Sequence, residues 1–257
     1  MNLPPNMPRT ALVTGAAKRI GRAIALDLAR HGLRVGVHCG NSVDEACAVV
    51  SEIQGSGGQA VVLQADLARE ADVQRLAAEA HAVLGPIGVL VNNASTFERD
   101  EIGDATRASW DMHLEANLRA PFVLIQEMAR HLPLDGAGVV INLLDQRVWN
   151  LTPHFVSYTL SKAGLWTLTQ TLALALAPRI RVNAIGPGPT LASVRQDPAQ
   201  FERQVASVPL RAAPSLDEVC AAVRLLVSAR SVTGQMLALD GGQHLNWGAP
   251  GMHQPDE

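Results

Sequence analysis

Two residues suited to proton transfer stand four positions apart in this chain. Tyr158, the single tyrosine among 257 residues, precedes Lys162 in the segment SYTLSK. Residues four apart project from the same helix face, one turn from each other. A phenol has an ordinary pKa near ~10, and a neighbouring ammonium moves that pKa toward neutrality. The pair therefore predicts acid–base catalysis by Tyr158, although the same spacing also occurs by chance on exposed helices.

A glycine-containing turn, TGAAKRIG at residues 14–21, follows the first predicted strand. Gly15 permits a tight exit from the strand, and Gly21 lets the next helix pack close to the sheet, with its first N–H groups facing a diphosphate. Arg19 replaces the middle glycine of a GxGxxG turn. Its guanidinium suits a phosphate or a substrate lying over the cofactor, although a solvated arginine fits the position equally well. The predicted phosphate-binding residues are Gly15, Lys18, Arg19, Ile20 and Gly21.

The end of the second predicted strand lacks an acidic residue. NAD-binding proteins commonly place Asp or Glu there to bind the ribose hydroxyls. Here the chain reads HCGNS at residues 38–42, and the next acid, Asp44, suits the start of a helix. No carboxylate repels a 2′-phosphate, and Lys18, Arg19 and Ser42 are possible partners for it. We therefore expect NADP(H).

These residues must be positioned by alternating strands and helices. Short runs rich in Val, Ile and Leu predict strands at residues 10–14, 33–37, 60–64, 87–91, 139–144, 180–185 and 235–239. Helical periodicity predicts helices near residues 19–31, 43–54, 69–84, 105–131, 155–177 and 216–228. The strands are apolar on both faces, which is typical of a sheet covered by helices on each side. The pattern predicts an α/β fold with one doubly wound, seven-stranded parallel sheet, a Rossmann-type domain whose ligands bind beyond the carboxyl ends of the strands.

Composition excludes several classes of protein. The chain is 47% hydrophobic, which excludes disorder, and its 21 basic and 24 acidic residues leave a net charge of −3 without a basic cluster for nucleic acid. No apolar run is long enough to span a membrane, so we expect a cytoplasmic protein. The cysteines and histidines lack metal-ligand spacing, so we expect no metal. We expect one domain at residues 9–246, a flexible leader at 1–8 and a tail at 247–257.

Four motifs in this order resemble the short-chain dehydrogenase/reductase family over residues 9–246. They are TGAAKRIG at 14–21, Asn92-Asn93-Ala94, Tyr158 with Lys162, and Gly186-Pro187-Gly188. The resemblance implies that Tyr158 donates a proton, that Lys162 also holds the nicotinamide ribose, and that Asn117 supports a proton-relay water. It also implies a homotetramer packed through the predicted helices 105–131 and 155–177. The cofactor contacts that it implies are Asp66, Leu67, Asn93, Ala94, Pro187 and Gly188.

Asp145 departs from the family pattern. Most members have a serine there, whose hydroxyl helps to hold a substrate carbonyl. A carboxylate would oppose a ketone oxygen that gains negative charge, but it suits a substrate with N–H groups or a C=N bond. The alternative is that Asp145 only caps the loop after its strand. The pteridine reductase branch of the family shares this substitution.

Other segments resemble the same branch. Arg19 matches its TGAAKR pattern, and Phe97 in NNASTF matches a phenylalanine that stacks on a pterin. Ser95 would bond the pterin or a cofactor phosphate. His38 and Ser42 fall at positions that contact the cofactor in this branch. Between them the branch has a basic residue, whereas this chain has Asn41. The segment 197–210 resembles the substrate lid, in which Phe201 either covers the pocket or anchors the lid helix.

We therefore expect a small-molecule enzyme that uses NADPH to reduce a dihydropterin, such as dihydromonapterin, dihydrobiopterin or dihydrofolate. The substrate-binding residues would be Arg19, Ser95, Phe97, Asp145, Tyr158 and Phe201. One alternative is a carbonyl reductase acting on a 3-oxoacyl or other ketone, in which Asp145 is incidental. A second alternative is an NADP(H) sensor without turnover, although a sensor needs neither Tyr158 nor Lys162.

Overall fold

A computed structural model describes residues 1–192 and 196–246. Its strands are β1 (Thr10–Val13), β2 (Arg34–Cys39), β3 (Gln59–Gln64), β4 (Val89–Asn92), β5 (Gly138–Leu143), β6 (Ile180–Pro187) and β7 (Met236–Leu239). They form one sheet in the order β3-β2-β1-β4-β5-β6-β7, and every neighbouring pair is parallel. The predicted doubly wound sheet is confirmed. The strand order reverses between β1 and β4, so their carboxyl ends flank the expected ligand crevice.

Helices cover both faces of this sheet. They are α1 (Arg19–Arg30), α2 (Val43–Gly55), α3 (Glu70–Leu84), α4 (Arg107–Leu114), α5 (Ala120–His131), α6 (Val156–Leu176), α7 (Pro198–Ser207) and α8 (Leu216–Ser228). One apolar core contains α1 and α8 side chains such as Ile24 and Val223, and the other contains α3 and α5 side chains such as Leu76 and Leu124. Strands β1, β4 and β5 are buried throughout. The site at their ends therefore rests on a closely packed base.

The helix predicted at residues 105–131 differs in the structure. It divides into α4 and α5, joined by a π-helical turn at Glu115–Arg119. Pro121 explains the break, because it has no N–H to donate to the carbonyl of Asn117 four residues earlier. Thr106 starts α4 by accepting a hydrogen bond from the Ser109 N–H.

Helix α7 was not among the six helices that periodicity predicts. Its first turn has a capping box, in which the Asp197 side chain accepts from the Gln200 N–H and the Gln200 side chain accepts from the Asp197 N–H. Pro198 begins the helix. Those polar end signals, rather than an apolar stripe, mark this helix in the sequence.

The first eight residues, expected to be flexible, lie against the core. Met7 is 4% exposed and belongs to the same apolar cluster as β1. Pro8 lies so close to Gly88 that a Cβ at Gly88 would stand 2.0 Å from the Pro8 carbonyl oxygen. The apolar side chains of this segment therefore extend the core. Within the described residues, no helix has both the length and the apolar content that crossing a bilayer requires.

Candidate active site

The turn after β1 is locked to the end of β4. Gly15 has a φ of +61°, and a Cβ there would stand 2.9 Å from the Ala94 Cα, so a larger residue would be strained and crowded. The Asn93 side-chain amide donates to the carbonyls of Thr14 and Gly15 at 2.9 and 3.1 Å. Gly21 packs against the Gly15 carbonyl, where a Cβ would lie 2.2 Å from the oxygen. Both predicted glycine roles are consistent with this geometry.

His38 supports the turn from below. The Gly15 N–H donates to its Nδ1 at 3.0 Å, so Nε2 carries the proton and donates to the Ala65 carbonyl at 3.2 Å. Burial lowers the pKa of His38 to about 4, and only the hydrogen bond to Ala65 acts against that shift. His38 is therefore a neutral residue beneath the expected cofactor rather than a charged phosphate ligand.

A cleft of about 670 Å³ lies over the ends of β1, β2 and β4. Its walls include the following residues predicted to contact the cofactor: Gly15, His38, Asp66, Leu67, Ala94 and Ser95. Asn41 also lines it. Arg75 lines it too and escaped sequence analysis, since it lies on the polar face of α3, where charges are usual.

The structure fits a dinucleotide at this cleft. No side chain caps the first turn of α1, and that turn contains no acid, so its N–H groups and positive dipole end suit a diphosphate. Lys18 pairs with Glu45 at 2.7 Å, so its positive charge is already partly compensated by a carboxylate of the protein. Ser42 lies just before α2 and makes no capping bond with its hydroxyl.

The proton-transfer residues meet beyond the end of β5. The Tyr158 hydroxyl donates to the Asp145 Oδ2 at 3.0 Å, while the Asp145 Oδ1 accepts from the Arg147 N–H at 2.9 Å. The two interpretations of Asp145 are thus compatible, because one oxygen caps the loop and the other faces the phenol. The Arg147 guanidinium lies 3.9 Å from Oδ2 and adds a positive charge behind the carboxylate.

Lys162 is buried below the phenol. Its Nζ donates to the Leu143 carbonyl at 2.8 Å and lies 5.8 Å from the centre of the Tyr158 ring. Burial lowers the pKa of Lys162 to about 8, and the charge of Asp145 opposes this effect. Its ammonium form therefore begins to lose its proton just above neutral pH.

Asn117 lies in the π-helical turn and is fully buried. Its side chain exchanges two hydrogen bonds with the Thr96 backbone, at 2.8 and 2.9 Å, and donates to the Ser161 hydroxyl at 3.1 Å. Asn117 thus joins the loop after β4 to α6. The relay water expected from the family resemblance stays a prediction.

Aromatic rings form the wall beside the phenol. Phe97 stacks on Phe155 with ring centres 4.5 Å apart and meets Tyr158 edge-on at 4.7 Å. The Arg147 guanidinium carbon lies beside this stacked pair, 5.3 Å from the Phe97 centre and 4.8 Å from the Phe155 centre. Phe97 therefore lies beside the phenol, whereas its stacking on a pterin stays a prediction. Phe155 and Arg147 escaped sequence analysis, since neither has a recognisable motif.

A second cleft of about 240 Å³ contains this chemistry. Arg19 and Ile20 of the turn line it, so a ligand that follows the turn from the first cleft would reach the phenol. The other predicted residues along it are Phe97, Asp145, Tyr158, Pro187 and Gly188. The Arg19 guanidinium donates to the carbonyls of Leu191 and Ala192 at 3.0 and 2.7 Å, before the lid segment.

Glutamine side chains also line this cleft, one from the lid segment at 197–210 and another just before it. Gln196 and Gln204 line the cleft and bond to each other at 2.8 Å. Phe201 lies half-buried on α7, outside the lining residues. Gln243 lines the cleft from the other side, and His244 beside it bonds to Asp240 at 2.7 Å. The predicted tail at 247–257 lies outside the described residues.

The known proteins that this chain resembles are reductases and dehydrogenases. A family model described as enoyl-(acyl carrier protein) reductase matches residues 15–244. The chain is 33% identical over 245 residues to a 3-oxoacyl-(acyl-carrier-protein) reductase of Staphylococcus epidermidis, covering 93% of this chain and 100% of the relative.

Two crystal structures are similar over nearly the whole chain. FolM alternative dihydrofolate reductase 1 from Brucella canis, complexed with NADP, shares 53% identity at a TM-score of 0.93, covering 97% of this chain and 100% of that one. A short chain dehydrogenase from Burkholderia cenocepacia, in complex with NADP, shares 33% identity at a TM-score of 0.86, covering 93% and 99%.

Proposed function

The chain belongs to the short-chain dehydrogenase/reductase family, and we propose that it is a pteridine reductase that converts a dihydropterin to its tetrahydro form. NADP(H) is its cofactor, as the NADP-bound structures similar to it indicate. The substrate class comprises dihydromonapterin, dihydrobiopterin and dihydrofolate, which share the reacting ring and differ in side chain.

The observation that carries this proposal is the 3.0 Å hydrogen bond from the Tyr158 hydroxyl to Asp145. A carboxylate beside the proton donor disfavours a ketone oxygen that gains negative charge, whereas it accepts hydrogen bonds from a nitrogen heterocycle. Phe97 lines the same cleft, and a flat bicycle packs well against an aromatic ring. The 53% identity to an alternative dihydrofolate reductase supports the same substrate class.

When bound, NADPH supplies a hydride for C6 of the pterin. The residues of this chain supply the matching proton to N5. Tyr158 carries that proton, and Asp145 orients the hydroxyl or a water that delivers the proton. The Lys162 ammonium, 5.8 Å from the phenol ring, stabilises the negative charge that remains on Tyr158.

The elements around the clefts hold the two reactants. The turn at 14–21 would bind the diphosphate, and Lys162 would bind the nicotinamide ribose. We assign the remaining cofactor contacts to His38, Ser42, Asp66, Leu67, Asn93, Ala94, Ser95, Pro187 and Gly188. We assign the substrate contacts to Arg19, Phe97, Asp145 and Tyr158, which line the second cleft. Ser95 would reach the substrate from the first cleft, Phe201 would do so only if α7 moved toward the pocket, and Asn117 would support the relay water.

The test is NADPH oxidation by the purified protein with a dihydropterin and, in parallel, with a 3-oxoacyl thioester. Asp145→Ser should lower kcat/KM for the dihydropterin about 100-fold, because the group that orients the proton donor is lost, and should leave NADPH affinity unchanged. Asp135→Ser, at an exposed loop aspartate, is the matched control. Inert dihydropterins together with rapid turnover of ketones would overturn the pterin assignment.

A 3-oxoacyl reductase is the second candidate. The 33% identity to a 3-oxoacyl-(acyl-carrier-protein) reductase favours it. In that case Asp145 would be incidental, and Asp145→Ser would maintain or raise the turnover of the thioester. The same pair of assays therefore distinguishes the two candidates.

We further propose a homotetramer that packs through α4, α5 and α6. Helix α6 exposes apolar side chains in the single chain, with Leu160 46% and Leu174 83% exposed, and Trp110 of α4 is 40% exposed. Such residues favour burial against another subunit. A light-scattering mass of four chains is expected, and a monomeric mass would contradict the proposal.

A further inference from the structure

Helix α6, which carries Tyr158 and Lys162, has no cap of its own. The residue before it, Phe155, has left-handed backbone angles (φ 59°, ψ 51°) and makes no capping bond with its side chain. The first N–H groups of a helix have no partner within the helix and need one elsewhere. For α6 that partner comes from a distant part of the chain.

Asp100 supplies the missing cap. Its carbonyl accepts from the Val156 N–H, and its Oδ1 accepts from the Ser157 N–H, both at 3.1 Å. Its Oδ2 accepts from the Ser157 hydroxyl. Asp100 is 3% exposed, and a carboxylate at this position also suits the positive end of the helix dipole. Asp100 thus provides hydrogen-bond acceptors for the first N–H groups of a helix that begins 56 positions later in the chain.

The charge of this carboxylate is maintained by its neighbours. Burial alone would raise the pKa of the Asp100 carboxyl, but the hydrogen bonds from Ser157 and Ser109 lower that pKa below its ordinary value. An ionised carboxylate accepts hydrogen bonds through both oxygens, as the cap requires.

His113 supports the same arrangement from α4. The Glu98 N–H donates to its Nε2 at 3.0 Å, so the ring proton is on Nδ1. That nitrogen lies 2.7 Å from the Ser157 hydroxyl oxygen and 2.9 Å from the Ser109 carbonyl. His113 is fully buried, and its desolvation lowers its pKa despite the opposing charge of Asp100. A neutral His113 therefore joins the loop at residue 98 to the start of α6.

Asp100 and Ser157 are each close in sequence to a residue of the pocket. Phe97 precedes Asp100 by three positions, and Tyr158 directly follows Ser157. The two rings meet edge-on, with centres 4.7 Å apart and planes 71° apart. We propose that Asp100 is a positioning residue, which through Ser157 sets the position of the Tyr158 phenol relative to Phe97. Its effect on a pterin rests on the proposed function, but its effect on the phenol does not.

The test compares Asp100→Asn and Ser157→Ala with the wild-type enzyme. Asp100→Asn keeps the side-chain volume and one acceptor oxygen, but its amide nitrogen cannot accept from the Ser157 hydroxyl. The Tyr158 phenol should therefore no longer be held in a fixed position relative to the Phe97 ring. We expect kcat for the dihydropterin to fall about 10- to 100-fold, with NADPH affinity unchanged, because small misplacements of reacting groups cost that much. Ser157→Ala keeps the backbone bond to Asp100 and should give a smaller loss of the same kind.

Ser215→Ala is the matched control, since it removes the side-chain cap of α8. It should lower the melting temperature without changing kcat. If Asp100→Asn and Ser157→Ala likewise lower only the melting temperature, Asp100 acts in stability alone and the proposal is overturned. Should Asp100→Asn fail to fold, Ser157→Ala decides the same question.

A second readout is independent of the substrate. Because Tyr158 is the single tyrosine, its ionisation can be followed by ultraviolet absorbance. Loss of alignment with Lys162 should raise the midpoint of the phenol titration in both variants, whereas mere removal of a negative charge at residue 100 would lower it. An unchanged or lowered midpoint contradicts the proposal. If dihydropterins prove inert, this titration still tests the positioning role, so the two failures are distinguishable.

Discussion

The turn after β1 and the pocket at the start of α6 hold their functional groups in different ways. The turn is held by neutral bonds, such as those of Asn93 to the carbonyls of Thr14 and Gly15, and by the His38 ring. The pocket instead brings ionisable side chains together, with Asp145 near the buried Lys162.

This difference has an energetic consequence. Neutral backbone bonds in a packed turn contribute to the stability of the fold, because each buried polar group has a partner. Buried charges have the opposite effect, since removing a charge from water costs more than partial pairing returns. We infer that the turn stabilises this protein, whereas the proton-transfer pocket reduces its stability in exchange for reactivity.

Lys162→Met is the substitution expected to change turnover and stability most. Turnover should fall about 100-fold or more, because the phenolate loses its stabilising charge. Stability should rise by about 1 to 3 kcal/mol near pH 7, since lowering the lysine pKa from 10.5 to about 8 means that the folded state is charged at a buried site. Thermal melting and steady-state kinetics measure the two effects.

The pH dependence of this gain has a definite sign. Between pH 8 and 10.5 the wild-type lysine is neutral when folded and charged when unfolded, so wild-type stability rises with pH and the advantage of Lys162→Met disappears. Lys18→Met, at the other lysine of the chain, is the control, because Lys18 is exposed and paired with Glu45. A lower melting temperature for Lys162→Met would show that the pocket does not reduce stability.

The same contrast separates what the sequence can predict from what it cannot. The strands were predictable because a buried strand must be apolar on both faces, and the turn because Gly15 and Gly21 fill positions that a Cβ would obstruct. Tyr158 and Lys162 were predictable because their spacing is local. Each of these signals lies within one segment of the chain.

The long-range contacts beside Tyr158 and Phe97 were not predictable in the same way. Asp100 and Ser157 are 57 positions apart, and nothing local in either segment indicates that one caps the helix of the other. The contact between Arg147 and Phe97 likewise depends on two loops that meet only after the sheet has formed. Long-range side-chain pairs of this kind can be identified only in the folded structure.

The acid sensitivity of the turn is a smaller expected effect, and it depends on His38. Its folded pKa of about 4 lies below the ordinary 6.5, so the unfolded chain binds a proton between those values while the folded chain does not. The stability contributed by neutral His38 is complete above pH 6.5 and is lost as the pH falls, by about 3 kcal/mol at pH 4. The turn is therefore stable at neutral pH and sensitive to acid.

His38→Asn should reduce this acid sensitivity, because asparagine keeps an acceptor for the Gly15 N–H and cannot take up the proton. Denaturant unfolding at pH values between about 7 and 4 should show a shallower loss of stability than in the wild type. A residual loss is expected, because burial also lowers the pKa of His113. His131→Asn, at an exposed histidine, should leave the wild-type slope unchanged. If His38→Asn keeps that slope as well, the acid sensitivity arises in the charged pocket, and the division between a stabilising turn and a destabilising pocket is wrong.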